Sequence, residues 1–253
     1  MLRCFHKTNY NSQIIRYYRK ILPELSELSK KYGYCYDKLA ANVQTNIVDR
    51  IEYGKTESPI FHGFYCPSPI YDLIYSGVKR GMIYQRLTPK SKPNYRYLWS
   101  GSRLIQTELL DEVPCNIFDI YEDNQAISIY YSNVIKECSS LSQSRYGNTG
   151  RITLFRLWNC IGNGKFEDIT SLHEERFIYG NDGLLSYADV YEISDEKENL
   201  MFSHLPAVTS HDRYYFQHDA DGYLTSYQLC VYDLSEIPSE LSDPIIITEK
   251  RKI

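Results

Sequence analysis

The sequence FQHDADGYL, at residues 216–224, is the clearest copy of a pattern that recurs along this chain. Related copies are FIYGNDGLL at residues 177–185 and YRYLWSGSRL at residues 95–104. Each copy combines an aromatic segment, a polar or glycine turn and a second apolar segment, which is the signature of a β-hairpin. From about residue 80 to about residue 225 such turns recur roughly every twenty residues, so the pattern predicts a repeating antiparallel architecture.

The segments between these turns alternate apolar and polar residues with a period of two, which is typical of strands. Helical periodicity is confined to the N-terminal end, where apolar residues recur every three or four positions over residues 14–28 and again over residues 39–51. Two short helices cannot bury their apolar stripes alone. We therefore predict an α+β fold in which two N-terminal helices, within residues 12–53, pack on an extended antiparallel sheet of ten or more strands.

Three segments follow from this interpretation. Residues 1–55 form the helical segment, residues 56–78 a proline-rich loop and residues 79–253 the hairpin region, and together they are expected to make one folded unit. Pro23 is expected to kink the first helix or to begin a second one. Gly54 is expected to end the last helix.

The composition favours a binding protein over a nucleic-acid-binding or membrane protein. The chain has 253 residues, 25 of them tyrosines, and a formal net charge of −4. Basic residues predominate in the N-terminal segment and acidic residues in the hairpin region, which therefore lacks the clustered cations that phosphate contacts require. No apolar run is long enough for a membrane helix or a signal peptide, and the seven cysteines lack metal-ligand spacing. We expect reduced thiols, a cytoplasmic protein and no cofactor.

Two acidic stretches with interleaved tyrosines are the candidate partner-binding residues. Acidic side chains can dock a basic protein surface, and tyrosine is a frequent hot-spot residue. The alternative is that these charges only protect an exposed sheet edge from aggregation. The predicted partner-binding residues are Tyr187, Tyr191, Asp195, Glu196 and Glu198 in one stretch and Asp119, Glu122 and Asp123 in the other.

A histidine-rich segment, with His204, His211 and His218, supplies the enzyme alternative. A hydrolase or metal-dependent enzyme would need His211, Asp212 and His218 to converge in one pocket. Positions seven apart in a strand face opposite sides of the sheet, so we predict neither a metal site nor catalytic residues. A third alternative is a structural or phage-associated β-repeat protein, which would self-assemble.

The segment at residues 216–224 resembles the YD repeat of RHS and related bacterial toxin shells. That repeat has two aromatic residues separated by one position, then aspartate, two free positions, glycine, arginine and leucine. Phe216, Asp219, Gly222 and Leu224 match it, whereas a histidine stands at the second aromatic position and a tyrosine at the arginine position. The copy at residues 177–185 has glycine in place of the aspartate, and the copy at residues 95–104 has one inserted residue before its leucine.

Shells built from the YD repeat run to many hundreds of residues, so this chain is too short to be one. The resemblance implies another product of a toxin locus, namely an immunity protein. Such a protein would neutralise its cognate toxin in the cytosol by covering it directly. The expected partner is therefore a toxin domain, for example a basic nuclease, with no direct contact to nucleic acid or membrane.

Overall fold

The computed structural model describes residues 12–56, 61–74, 80–110, 114–134, 136–160, 169–194, 208–232, 237–248 and 250–253. In these segments the helices are α1 (Ser12–Tyr32), α2 (Tyr36–Thr45) and α3 (Tyr71–Ile74), with a 3-10 turn at Gly63–Tyr65. The strands are β1 (Arg50–Lys55), β2 (Met82–Ile83), β3 (Tyr95–Ser100), β4 (Arg103–Leu109), β5 (Cys115–Glu122), β6 (Gln125–Ser132), β7 (Cys138–Tyr146), β8 (Ile152–Cys160), β9 (Ile169–Tyr179), β10 (Leu185–Ser194), β11 (Val208–His218), β12 (Leu224–Tyr232) and β13 (Ile245–Ile246). The structure is thus largely antiparallel β, with helices at its N-terminal end. None of the described helices is both long and apolar enough to cross a membrane.

The described residues form two compact units, and the division falls inside α1. The β9–β13 unit contains these five strands and α1 up to Glu27, whereas the β1–β8 unit contains the chain from Leu28 to the end of β8. In the β9–β13 unit each strand pairs antiparallel with the next one along the chain. In the β1–β8 unit the same holds from β3 to β8, and β1 pairs with both β2 and β3. Each unit is therefore a meander of hairpins.

Three hairpin loops, at residues 147–151, 180–184 and 219–223, share one backbone hydrogen-bonding pattern. In each loop the first residue donates its N–H to the carbonyl of the fifth, and the fourth donates to the carbonyl of the first. The fourth residue is always a glycine with positive φ, which is 79° at Gly183 and 78° at Gly222. The hairpins predicted at the two clearest sequence copies are confirmed. The three loops are unequally spaced along the chain, so a fixed period of about twenty residues is not confirmed.

Aspartate side chains complete two of these loops. The Asp219 carboxylate accepts hydrogen bonds from the backbone N–H of Asp221 at 3.0 Å and of Tyr223 at 2.8 Å. The Asp182 carboxylate accepts one from the backbone N–H of Leu184 at 2.9 Å. These bonds satisfy donors that the turn leaves outside the strand ladder.

The N-terminal helices are confirmed only in part. α1 continues through Pro23, which lies on its exposed side, so a second helix does not begin there. α2 ends at Thr45, and the predicted continuation to Gly54 is wrong because Arg50–Lys55 forms β1. Ile47 and Ile51, which seemed to extend the apolar stripe, are 81% and 52% exposed. Cross-strand pairing with β3 outweighs the helix propensity that an apolar residue at every fourth position had indicated.

Both faces of the β1–β8 sheet are covered. On one face, the Trp158 indole N–H donates to the Ser29 hydroxyl at 2.9 Å, and the Tyr36 ring packs edge-on against Phe118, with 5.7 Å between centroids. On the other face lies the segment 61–74, where the backbone N–H of Phe64 donates to the Tyr97 hydroxyl at 3.0 Å. Side chains alternate along a strand. Phe118 therefore faces the helices, and its neighbour Asp119 faces the segment 61–74.

Gly222→Val is expected to lower the free energy of unfolding by about 1–3 kcal/mol. A β-branched residue does not readily adopt a φ of 78°, and an added Cβ would lie 3.3 Å from Cδ2 of Leu184. Gly222→Asn is the matched control and should cost less, because asparagine tolerates the left-handed region. Urea denaturation compares the three proteins, and a valine variant as stable as wild type would contradict the described loop.

Candidate partner-binding surface

One face of β10, β11 and β12 carries a ladder of aromatic and charged side chains. The register places Asp189 opposite Arg213, Tyr191 opposite His211, and His211 opposite Tyr232. Residues directly opposite each other in antiparallel strands lie close enough for their side chains to touch. The outer part of this ladder is only half-buried, and we call it the Tyr–Arg surface: Tyr187, Asp189, Arg213, Tyr215 and Tyr232.

Arg213 is held at the centre of the Tyr–Arg surface. Its Nε and Nη2 atoms donate to the two carboxylate oxygens of Asp189 at 2.7 and 3.0 Å. Its guanidinium carbon lies 4.5 Å from the ring centroid of Tyr187 and 5.5 Å from that of Tyr232. A bidentate ion pair flanked by aromatic rings fixes a side chain that otherwise has many rotamers. The Arg213 side chain remains 26% exposed, so a partner could reach it.

The electrostatics of this group favour the charged forms. Burial by itself would raise the pKa of Asp189, but hydrogen bonds from His211 and Arg213 bring it below its ordinary value. The hydrogen bond to Asp189 in turn raises the pKa of Arg213. His211 Nε2 donates at 3.1 Å to the same Asp189 oxygen that accepts the hydrogen bond from Arg213 Nε. The ion pair therefore persists across the physiological pH range.

Tyr191 lies beneath this surface rather than on it. It is only 5% exposed, and its ring stacks on that of His211 at 4.2 Å between centroids. Tyr232 stacks on the other side of His211 at 4.3 Å, and Arg176 lies over the outer face of Tyr191. The prediction that Tyr191 is exposed for a partner is wrong, because the ring is enclosed by its own neighbours. Tyr187, the other predicted tyrosine, is half-buried and belongs to the Tyr–Arg surface.

The predicted acidic stretches lie only partly within the described residues. Asp195, Glu196 and Glu198 lie outside them. Asp123 is exposed in the β5–β6 turn. The carboxylate of Glu122 accepts hydrogen bonds from Tyr32 at 3.3 Å and from Lys31 at 3.4 Å. Glu122 is therefore already bonded to two side chains of α1.

Asp119 contradicts the prediction of an exposed acidic surface, because its side chain is only 5% exposed. It accepts a 2.6 Å hydrogen bond from the Ser128 hydroxyl, its cross-strand neighbour. His62 Nε2 lies 3.3 Å from the Asp119 carboxylate but outside hydrogen-bonding geometry. Burial raises the pKa of Asp119 to about 8, despite the hydrogen bond from Ser128, and lowers that of His62 to about 3. Burial therefore favours the neutral form of both groups.

His62 was not recognised from the sequence. It follows the segment's first proline and lies in a stretch that reads as a loop, and its Nδ1 atom is 3.1 Å from the Thr107 hydroxyl. Its backbone has a φ of 60°, an uncommon value for a residue other than glycine. The adjacent Gly63, with a φ of 56°, was the available signal, since glycine is the usual residue where the backbone turns through a left-handed conformation.

The catalytic alternative on β11 does not converge. His211 faces Asp189 and the two tyrosine rings, whereas the adjacent Asp212 points to the opposite face of the sheet. His218 lies at the far end of the strand, opposite Leu224, and His204 is outside the described residues. Among the described side chains, no group of three or more His, Cys, Asp or Glu could hold a metal ion. His211, Asp212 and His218 therefore do not line one pocket in the described structure, as that alternative would require.

A different histidine is enclosed by carboxylates on the face opposite the Tyr–Arg surface. His173 contacts Glu192 at 2.5 Å through Nδ1 and the fully buried Glu175 at 2.7 Å through Nε2. Burial opposes the charged imidazole, but the two carboxylates raise the pKa of His173 to about 10. The sequence His-Glu-Glu superficially resembles part of a zinc motif, but His173 and Glu175 within it form an internal ion pair.

The free energy of unfolding of the Asp119→Asn variant is expected to rise relative to that of wild type as pH rises. The folded pKa of Asp119, about 8, is above its ordinary value of 3.8, so folding holds a proton that the unfolded chain releases. The difference in unfolding free energy between the variant and wild type should therefore widen from about pH 4 to about pH 8, by about 1.4 kcal/mol per unit of pKa difference. Urea denaturation across this range measures it. Ser128→Ala is the control that keeps the titrating group, and parallel curves for Asp119→Asn and wild type would mean that Asp119 is ionised in the fold.

The sequence matches no protein-family model and no curated protein. Function is therefore inferred from the geometry described above.

Proposed function

We propose that this protein acts by binding another protein through the Tyr–Arg surface. The observation that carries the proposal is Arg213, which is fixed by Asp189 between Tyr187 and Tyr232 and yet remains partly exposed. Arginine and tyrosine are enriched among the residues that dominate protein–protein binding energies. A side chain that is already ordered loses less conformational entropy when a partner docks.

The partner that we propose is a cognate bacterial toxin domain, which makes the protein a cytoplasmic immunity protein. The resemblance of residues 216–224 to the YD repeat supports this, as do the acidic hairpin region and the absence of disulfides among the described cysteines. A basic nuclease would complement the net charge of −4. The α+β classification and a single folded unit for the whole chain belong to the same proposal.

Acidic residues that follow β10 in the sequence are proposed to guide association. Asp195, Glu196 and Glu198 follow directly after β10 in the sequence, which carries Tyr187 and Asp189. Charges at the rim of an interface change the association rate more than the final affinity. Glu122 and Asp123 remain candidates for a second guiding patch, whereas Asp119 is buried and is no longer proposed.

Tyr187→Ala and Arg213→Ala are each expected to weaken binding of the toxin domain encoded beside this protein. Loss of a hot-spot side chain costs about 2 kcal/mol or more, which is about 30-fold or more in Kd. Tyr34→Ala is the matched control, because Tyr34 is 68% exposed and lies far along the chain from this surface. Calorimetry with the purified toxin domain measures Kd, and protection of co-expressing cells reports function.

Two outcomes would contradict different parts of the proposal. If wild-type protein neither binds the toxin domain nor protects cells, the immunity function is wrong. If wild type protects and both Tyr–Arg variants bind as tightly as Tyr34→Ala, the function stands and the surface is wrong. Circular dichroism of each variant tests whether the fold is retained. This control is needed because Arg213 also donates two hydrogen bonds to the Asp189 carboxylate.

Reversal of Asp195, Glu196 and Glu198 to lysine is expected to slow association with a basic toxin domain. The attraction is long-range and screened by salt, so the difference from wild type should shrink as ionic strength rises from about 0.01 M to about 1 M. Stopped-flow mixing measures the association rate. Reversal of Glu122 and Asp123 is the comparison, and an association rate that neither reversal nor salt alters would exclude electrostatic guidance.

A further inference from the structure

The outer edge of β12 is covered by a mostly irregular segment of the chain rather than by a full strand. We call this segment the strap and define it as the described residues from position 237 onward. Within the strap only Ile245–Ile246 forms a strand, β13, which pairs with two residues of β12. Further along, the carbonyl of Arg251 accepts a hydrogen bond from the backbone N–H of Leu224 at 2.9 Å. The strap therefore already covers β12 at the first residue of that strand.

Two serines of the strap take the place of a paired strand at the other end of this edge. The backbone N–H of Leu229 donates to the Ser242 hydroxyl at 2.9 Å, and the backbone N–H of Ser242 donates to the Leu229 carbonyl at 2.8 Å. Ser239 contacts Val231 in the same way, at 3.0 and 2.8 Å. In a regular sheet a backbone carbonyl would accept each of these N–H groups. A real strand could therefore satisfy the same groups of β12 equally well.

Little apolar burial holds the strap in place. None of the residues 237–248 is buried, and Ile237, Leu241 and Ile246 are 61%, 52% and 68% exposed. The strap is therefore held mainly by hydrogen bonds, which contribute little net free energy because the same groups bond water when they are released. Segments with exposed hydrogen bonds and few buried apolar contacts open at a low free-energy cost.

The composition of β12 suits pairing with an identical strand. Its sequence LTSYQLCVY, at residues 224–232, contains no charged residue, no glycine and no proline. Uncharged segments rich in β-forming residues can pair with their own copies, because no like charges stand opposite one another. A charged partner strand, in contrast, would find no complementary charge along β12. The occupant that fits this edge is therefore β12 of a second copy of the chain.

The strap itself has features that prevent the addition of another strand. Pro238 and Pro244 have no backbone N–H to donate, and Glu240 and Asp243 are exposed charges. Proline and charged side chains are common means by which natural sheets protect an exposed edge. The sheet therefore ends at the strap while the strap is in place, and it ends at an open β12 edge when the strap is released.

We propose that the strap is a displaceable cover, and that β12 pairs antiparallel with β12 of a second copy of this chain when the strap is released. This pairing goes beyond the function proposed above, because it uses the edge of a strand, whereas the Tyr–Arg surface lies on one face of the sheet.

The outward-facing backbone groups fix the register of this pairing. The N–H and C=O groups of Leu229 and Val231 point outward, toward the strap. Orientation alternates along a strand, so those of Tyr227 and Thr225 point outward as well. A pairing centred on Gln228 places Tyr227 opposite Leu229. It also places Thr225 opposite Val231, so that all of these groups find partners.

Release of the strap by substitution tests the proposal. Ser239→Pro combined with Ser242→Pro removes the hydroxyl groups and the N–H donors that contact β12. Self-association is limited by the population of the open form, so this double variant should dimerise with a Kd about tenfold or more below that of wild type. Leu241→Pro is the matched control, because Leu241 lies between the two serines and none of the described hydrogen bonds joins it to β12.

Size-exclusion chromatography with light scattering measures the mass of each protein from about 1 to about 100 µM. Circular dichroism tests whether the double variant is folded. If it is not, Ser239→Ala combined with Ser242→Ala takes its place, since alanine keeps the N–H donors and removes only the hydroxyl groups. A folded double variant that stays monomeric, or a wild-type protein that dimerises as strongly as the double variant, would overturn the proposal.

Substitutions on β12 test the register. In the double variant, Gln228→Lys would place two ammonium groups opposite each other and should restore the monomer. Thr225→Lys is the matched control, because its lysine would stand opposite Val231 and should leave the dimer intact. Dimers that Gln228→Lys weakens no more than Thr225→Lys does would show that β12 does not pair with itself in this way.

A disulfide between two chains provides an independent readout. Opposite residues outside the hydrogen-bonded pairs have Cα atoms about 4.5 Å apart, which suits a disulfide. Gln228→Cys in the double variant should therefore give a covalent dimer in the presence of oxidised glutathione. The double variant with its native cysteines alone is the control, and equal yields of covalent dimer from the two proteins would contradict the proposed pairing.

Discussion

Antiparallel pairing of successive strands is the constraint on which the rest of this structure depends. It satisfies the backbone, and it also decides which side chains stand side by side on each face. Asp189 meets Arg213 because the β10–β11 register places them opposite each other, and Asp119 meets Ser128 for the same reason across β5 and β6. A shift of either strand by one residue would send that strand's member of the pair to the other face. Both the Tyr–Arg surface and the buried carboxyl group are therefore products of register.

Much of the sheet could be predicted from the sequence because its information is local. Glycine and aspartate fix the loop at residues 219–223 through one positive φ and two side-chain hydrogen bonds, and all of these residues are neighbours in the chain. The end of α2 could not be predicted in this way. Ile47 and Ile51 continue the helical pattern, but Arg50–Lys55 gains a strand partner more than forty residues away in β3. Local periodicity contains no signal for that competition.

The candidate sites were harder to predict than the strands. Tyr187, which was predicted to bind a partner, is half-buried, whereas Tyr191, four positions on, is enclosed by His211 and Arg176. Asp119 read as part of an acidic surface because its sequence neighbours are charged, yet the segment containing His62 covers it. Burial of a polar side chain depends on what packs above the sheet, and alternation along the strand tells only which face it joins.

The contacts of α1 have a consequence for the order of folding. Tyr17 and Tyr18 donate hydrogen bonds to the Glu174 carboxylate, from which they are separated by 157 and 156 residues. The hairpins, in contrast, close between segments that leave the ribosome one after the other, and such short-range contacts form quickly. During synthesis the first half of α1 must therefore wait, without its sheet, until β9 and β10 have been made. Its apolar stripe is exposed throughout that interval, and transiently exposed apolar surface of this kind is what chaperones protect.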